Sequence, residues 1–132
     1  MEEDIKKLFE IDPCEIPEAI PIFPLENVLL LPFGKMPLNI FEKRYLEMVL
    51  DSLKTNRLIG IIQPKNNNNE FFMMGCIGKI TSYIETPDLR IVINLEGVCR
   101  FVLQEKYLTQ KGYYQGVIKT KKYWEDLNPM EP

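Results

Sequence analysis

Between Pro13 and Pro37 the chain carries six prolines, and no other feature narrows its folding choices as far. Each one lacks the amide hydrogen that a helix interior needs, so this stretch cannot form a long helix. Its apolar residues gather between the prolines: Ile20, Ile22 and Phe23, then Val28 to Leu31, then Met36 and Leu38. That pattern predicts short extended segments at a sheet edge, where a missing donor is tolerated. Pro32-Phe33-Gly34-Lys35 reads as a turn between them.

A strong helix signal follows. Asn39 is placed to cap it and Glu42, three residues on, to act as the capping-box partner, with the helix running to Thr55. Phe41, Tyr45, Met48, Val49 and Leu53 share one face, opposite Glu42, Lys43, Glu47 and Asp51. Such a helix should lie against a sheet or close one end of a barrel. Ile5, Leu8 and Phe9 suggest a second, short helix over residues 2–10, which would need docking to hold.

Everything afterwards reads as strand. Leu58 to Ile62 is a continuous apolar run, expected of a strand buried on both faces. Asn66 to Asn69 form a polar loop, Phe71 to Glu85 a long extended stretch, and Pro87-Asp88 a turn. Ile91, Ile93 and Leu95 alternate with Arg90, Val92 and Asn94. After Gly97, Cys99, Phe101 and Leu103 alternate in the same way. Lys111-Gly112 turns the chain into a last strand, Tyr113 to Lys121. Five or six antiparallel strands and one helix predict a mainly β (α+β) fold, a small barrel or half-barrel.

At 132 residues, 45% hydrophobic and 27% charged, the chain suits one globular domain. Its net charge of −3 weighs against nucleic acid, which is held by clustered Lys and Arg. No apolar run approaches the roughly 20 residues needed to cross a bilayer. Met1-Glu2-Glu3-Asp4 is acidic where a secretory leader would be basic, so the expectation is a cytoplasmic protein with no membrane partner.

Chemistry finds little to stand on. Cys14, Cys76 and Cys99 make no CxxC pair and histidine is absent, so no metal or other cofactor is expected. Without histidine, Ser-His and Cys-His nucleophiles are excluded. Ser52 and Ser82 sit on a helix and a strand, not on a nucleophile elbow, and no spacing supports a Ser–Lys dyad. Gly75-Cys76-Ile77-Gly78-Lys79 has two residues between its glycines where a phosphate loop has four, and Ile80 stands where that loop needs Ser or Thr. A bend or bulge in a strand explains those glycines better. No enzyme reading survives.

Two binding candidates remain. With uninterrupted strand phase, Phe72, Met74, Cys76, Ile80 and Ile84 share one face; Phe71, Met73 and Ile77 start the other, ahead of Lys79, Thr81, Tyr83 and Glu85. The apolar end of that second face is either covered by another element or exposed to a partner. Methionine beside aromatic residues suits adaptable apolar recognition. The other candidate is Lys119-Thr120-Lys121-Lys122-Tyr123-Trp124, which reads either as a base-stacking, phosphate-holding stretch or as a solvated strand end anchored by Trp124.

The order of these elements resembles the Lon N-terminal (substrate-binding) domain family. Pro21-Ile22-Phe23-Pro24-Leu25, Val28 to Pro32, Pro37 to Glu42 and Arg44-Tyr45 are similar to its start. Leu58-Ile59-Gly60, Met74 to Ile80, and Leu95 to Phe101 are similar to its later strands. The likeness runs from about Pro21 to Trp124 and is nearest to stand-alone bacterial versions without ATPase and protease domains.

The resemblance implies a PUA-like pseudo-barrel of about six strands with one amphipathic helix. It implies a non-catalytic, proteolysis-associated domain that recognises unfolded or damaged protein segments and supports assembly. Residues 1–19 would be an extension, 20–124 the β domain, and 125–132 a tail where family members usually continue into a helical subdomain. Arg44 and Arg100 match family positions; Arg44 is expected to be a structural ion-pair or capping residue near the helix start and Arg100 a strand-face anchor, with direct substrate contact the lesser alternative for both. The expected binding surface is Phe71, Met73 and Ile77, joined by Phe33 and Met36 of the neighbouring turn. A separate protease or self-association would supply further partners. The alternatives are a PUA-like RNA-binding module, resting on the lysines around Lys121 and Lys122, and a structural oligomerisation domain.

Overall fold

The computed structural model describes residues 16–65 and 70–127. The expected helix over residues 2–10, Cys14 and the Asn66–Asn69 loop lie outside the described residues. In chain order the elements are β1 (Ala19–Pro24), β2 (Lys35–Ile40), α1 (Lys43–Leu53), β3 (Leu58–Ile62), β4 (Pro64–Lys65) and β5 (Glu70–Phe71). They continue with β6 (Met74–Glu85), β7 (Ile91–Leu108), β8 (Tyr114–Lys119) and a 3-10 segment, Lys121–Leu127.

The main sheet runs β2-β7-β6-β3-β1-β8, and a further pairing of β8 with β7 closes β7, β6, β3, β1 and β8 into a ring of five. The length of β7 makes closure possible. Its first half pairs with β2 from Ile91 to Glu96, and its second half pairs with β8 from Val102 to Leu108. The mainly β pseudo-barrel is thus present, with β2 as a flank outside the ring. One pairing departs from the expected antiparallel pattern: β1 and β3 are parallel, Ile22 opposite Gly60. The intervening β2 and α1 return the chain to its starting end, as a parallel connection requires.

Two apolar clusters hold the ring together. Phe23, Ile40, Met48, Val49, Ile59, Ile61, Cys76, Ile80, Ile93 and Leu95 belong to the first, which α1 covers. Ile20, Ile22, Leu58, Ile62, Ile77, Phe101, Leu103 and Ile118 form the second. Every residue of β3 is buried, because alternate side chains enter opposite clusters. The alternation read in β7 also holds, with Ile91, Ile93, Leu95, Cys99, Phe101 and Leu103 all buried.

The helix starts later than its capping signal indicated. Asn39 is a strand residue opposite Val92, and Glu42 occupies the N-cap without a side-chain capping bond. Six consecutive pairs with β7 extend β2 through Ile40, and the Glu42 carboxylate is taken by Arg44 at 3.2 Å. Phe41 falls outside the helix and is exposed, with the Arg90 guanidinium 5.6 Å from its ring centre. Val28 to Leu31 forms no strand. Leu31 instead accepts a bond from the Gly34 amide (2.8 Å), closing the turn that contains Phe33.

Candidate functional site

An apolar groove of about 580 Å³ lies on the flank of the ring. Two chain segments supply its exposed walls: Leu29 and Leu31 from one, Phe72, Met73 and Met74 from the other, with Ile61, Ile62 and Cys76 beneath. Arg100 is the single charged residue among those that line it.

Both walls are set by backbone constraints. The Phe33 amide donates to Gly97 (2.8 Å) and the Gly97 amide to Gly34 (2.8 Å), tying the first segment across β7. A Cβ on Gly97 would sit 1.9 Å from the Leu31 carbonyl oxygen, so only glycine allows this approach. Leu30 turns into the first cluster, while Leu29 stays 72% exposed and Leu31 55%. In the second segment the ladder breaks between β5 and β6. The Phe72 amide donates to Gln63 (3.0 Å) and Met73 accepts from the Leu103 amide (2.6 Å). With Phe72 bonded to Gln63 just past β3 and Met73 to Leu103 of β7, the segment leaves both β-ladders, and Met73 is 65% exposed.

The rim is neutralised. The Arg100 Nε and Nη2 donate to the two Asp126 carboxylate oxygens at 2.9 and 3.0 Å, and the Arg100 amide adds a third bond at 3.0 Å. Hydrogen bonding from Arg100 holds the Asp126 carboxyl below its ordinary 3.8. The Tyr123 ring lies 4.5 Å from the guanidinium, and its hydroxyl reaches the Met74 sulfur at 3.4 Å. Arg100 therefore anchors the 3-10 segment beside the groove through its ion pair with Asp126. Burial pushes the Cys76 and Cys99 thiols up to about 12, so neither is a thiolate nucleophile near neutrality. Among the described residues no cluster of three His, Cys, Asp or Glu could hold a metal.

The five residues named from sequence do not converge. Met73 lines the groove. Ile77 is wholly buried in the second cluster, which corrects the expected exposure. Cys76 and Ile77 enter opposite clusters, so this part of β6 is covered on both faces and phase cannot expose either side. Phe71 is half-buried, edge-on to Tyr114 at 5.4 Å with the Lys106 ammonium 4.0 Å from its ring. It borders a separate 400 Å³ cleft beside Tyr45 and Arg44. Met36 is half-buried and packs on the first cluster. Phe33 is exposed at a positive φ of 64° but is not among the groove's lining residues. Leu29, Leu31, Phe72 and Met74 also line the groove and were not among the five. The available signal was four apolar residues in a row after a loop, with room beneath for one.

A ring of five strands with a largely apolar groove on its flank is the pseudo-barrel architecture expected from the sequence. The chain belongs to the family of ATP-dependent protease La (LON) substrate-binding domains, whose model matches residues 19–130. It is 26% identical over 128 residues to a Lon protease of Cytophaga hutchinsonii, covering 92% of this chain and 16% of that protein. A Lon protease of Parabacteroides distasonis is 28% identical over 106 residues, 76% of this chain and 13% of the relative. The chain thus spans about a sixth or less of the curated relatives it matches.

Among solved structures, a Lon N-terminal domain protein from Xanthomonas campestris superposes with a TM-score of 0.68 at 27% identity. The match covers 77% of this chain and 59% of that one. The N-terminal domain of Mycobacterium avium complex Lon protease gives 0.63 at 10% identity, over 86% and 56% of the two chains, a likeness of fold. The matched family is the substrate-binding region of the protease and not its catalytic part. No helix among the described residues is long and apolar enough to cross a membrane.

Proposed function

We propose that this domain binds exposed apolar segments of unfolded or damaged proteins in the groove between Leu29–Leu31 and Phe72–Met74, without chemistry of its own. The observation that carries this reading is five large apolar side chains, all more than 45% exposed, around one cavity whose single charged lining residue, Arg100, is paired with Asp126. Folded domains seldom leave such a patch open without a partner. Methionines 73 and 74 add adaptability, since a flexible thioether repacks against varied shapes.

The affinity follows from simple magnitudes. Burying three client side chains contributes roughly 1.5–3 kcal/mol each. Ordering an unfolded segment costs about 2–5 kcal/mol. A single site should therefore bind weakly, on the order of millimolar to high micromolar, and gain strength from repeated contacts.

Isothermal titration with a permanently unfolded, carboxymethylated model protein tests the reading. Leu31→Asp and Met73→Asp should each abolish measurable heat while the fold survives. Unchanged binding in both variants would overturn it.

A further inference from the structure

The one charge on the groove has a fixed place. Arg100 stands on β7 opposite Cys76, whose side chain lies beneath the groove. Its side chain is 43% exposed, whereas the Asp126 carboxylate that holds it is only 10% exposed. The pair is bidentate, Nε donating to one carboxylate oxygen at 2.9 Å and Nη2 to the other at 3.0 Å. Among the described residues no other acidic side chain forms an ion pair with Arg100.

Asp126 belongs to neither wall of the groove. It comes from the 3-10 segment, which has further ties to the ring: the Cys99 thiol donates to the Tyr123 carbonyl at 3.3 Å, and the Tyr123 hydroxyl meets the Met74 sulfur at 3.4 Å. Neither tie uses the Asp126 carboxylate, so its charge can be altered while these contacts remain. A guanidinium keeps its proton throughout the range in which proteins are folded. Left without Asp126, it would set an uncompensated positive charge beside an apolar floor, where attraction to an anion exceeds that in bulk water. Paired as it is, it offers an incoming chain a dipole and little net charge.

We propose that Asp126 sets the specificity of the groove: by covering the Arg100 charge it makes the site respond to the apolar content of a client and not to the sign of its charge. Asp126 touches no client in this scheme. It is a positioning residue that holds the guanidinium against the 3-10 segment and away from an incoming carboxylate. It has this role only if the groove is the client site. Unfolded segments carry their apolar residues among charges of either sign, so a charge-blind groove accepts a wider range of them than a basic one.

The test uses synthetic peptides with a shared apolar core of Leu and Phe, flanked by Gln, Glu or Lys. Binding is read from the Met73 and Met74 methyl resonances of the full chain. The unmodified chain should bind the Gln and Glu peptides within about twofold of each other at physiological ionic strength. Asp126→Asn keeps the side-chain shape and one acceptor oxygen. It should raise the preference for the Glu over the Lys peptide by about three- to fivefold, a gain that fades as salt rises. Combining Arg100→Met with Asp126→Asn also breaks the tie but leaves no charge, and the gain should vanish. A loosened segment alone would change both variants alike, so an equal change in the two overturns the proposal. So does an unmodified chain that already prefers the Glu peptide and loses that preference in Arg100→Met, since Arg100 would then contact the client despite Asp126. Peptide binding that persists with no change of preference in Asp126→Asn overturns the role of Asp126 and leaves the groove standing. If no peptide moves Met73 or Met74, the groove reading falls and the role of Asp126 falls with it.

Discussion

Ile77 and Ile84 lie on the same strand, yet the first is wholly buried and the second 68% exposed. Ile77 sits where β6 is flanked by β3 and β7, opposite Gly60 and Cys99. Ile84 sits where only β7 remains. Burial along β6 is thus decided by how many neighbours each half has, and strand alternation comes second. The inner half is scaffold, bringing the Phe72–Met74 wall of the groove into place. The outer half is free for contacts made by the folded molecule.

The sharpest way to break this contrast is truncation on both halves. Ile77→Ala should destabilise by about 2–4 kcal/mol, the usual cost of a large-to-small change in a packed core. Ile84→Ala should stay within about 0.5 kcal/mol. Urea unfolding of the two variants checks both, and similar losses would refute the division. Gly97→Ala comes next. Its Cβ would collide with the Leu31 carbonyl, so about 1–3 kcal/mol should be lost and the Leu29–Leu31 wall displaced. Unfolding together with a loss of client binding would report this.

Arg100→Ala should cost about 1 kcal/mol, because the ion pair is partly solvent-screened. Its pH dependence has a definite sign. The Asp126 carboxyl is held below 3.8 in the folded state, so its contribution is fully present above that value. It is lost as pH falls through the lowered folded value. Between about pH 5 and pH 2 the unmodified chain should lose more stability than Asp126→Asn. The smallest effect on stability is expected for Met73→Ala, within about 0.5 kcal/mol. Client affinity should nonetheless fall roughly three- to tenfold, for about 1 kcal/mol of lost contact.

Particular residues explain how far the sequence could be read. The two-sided burial of Leu58–Ile62 and the alternation of Ile91 to Leu103 were legible because apolar spacing records which face meets a core. The prolines correctly excluded a long early helix. The groove proposed for binding was not legible by the same rule. Alternation assigned Ile77 to the face of Met73 but carried no sign of the second cluster covering it. The bulge at Thr81, an extra residue in β6, then shifted the phase beyond Ile80. Leu29 and Leu31 were hidden differently: an unbroken apolar run looks the same whether two layers bury it or a carbonyl held against Gly97 leaves it in solvent. Asn39 and Glu42 gave a sound capping signal that six strand pairs with β7 overrode.

The six methionines offer the most direct measurement of groove binding. Methyl-methionine NMR spectra would be recorded while an unfolded model protein is titrated in. Met73 and Met74 should shift together and saturably, whereas Met48, fully buried on the inner face of α1, stays fixed. A titration in which Met73 and Met74 do not move, at concentrations where the client is bound, would contradict the groove as the binding site.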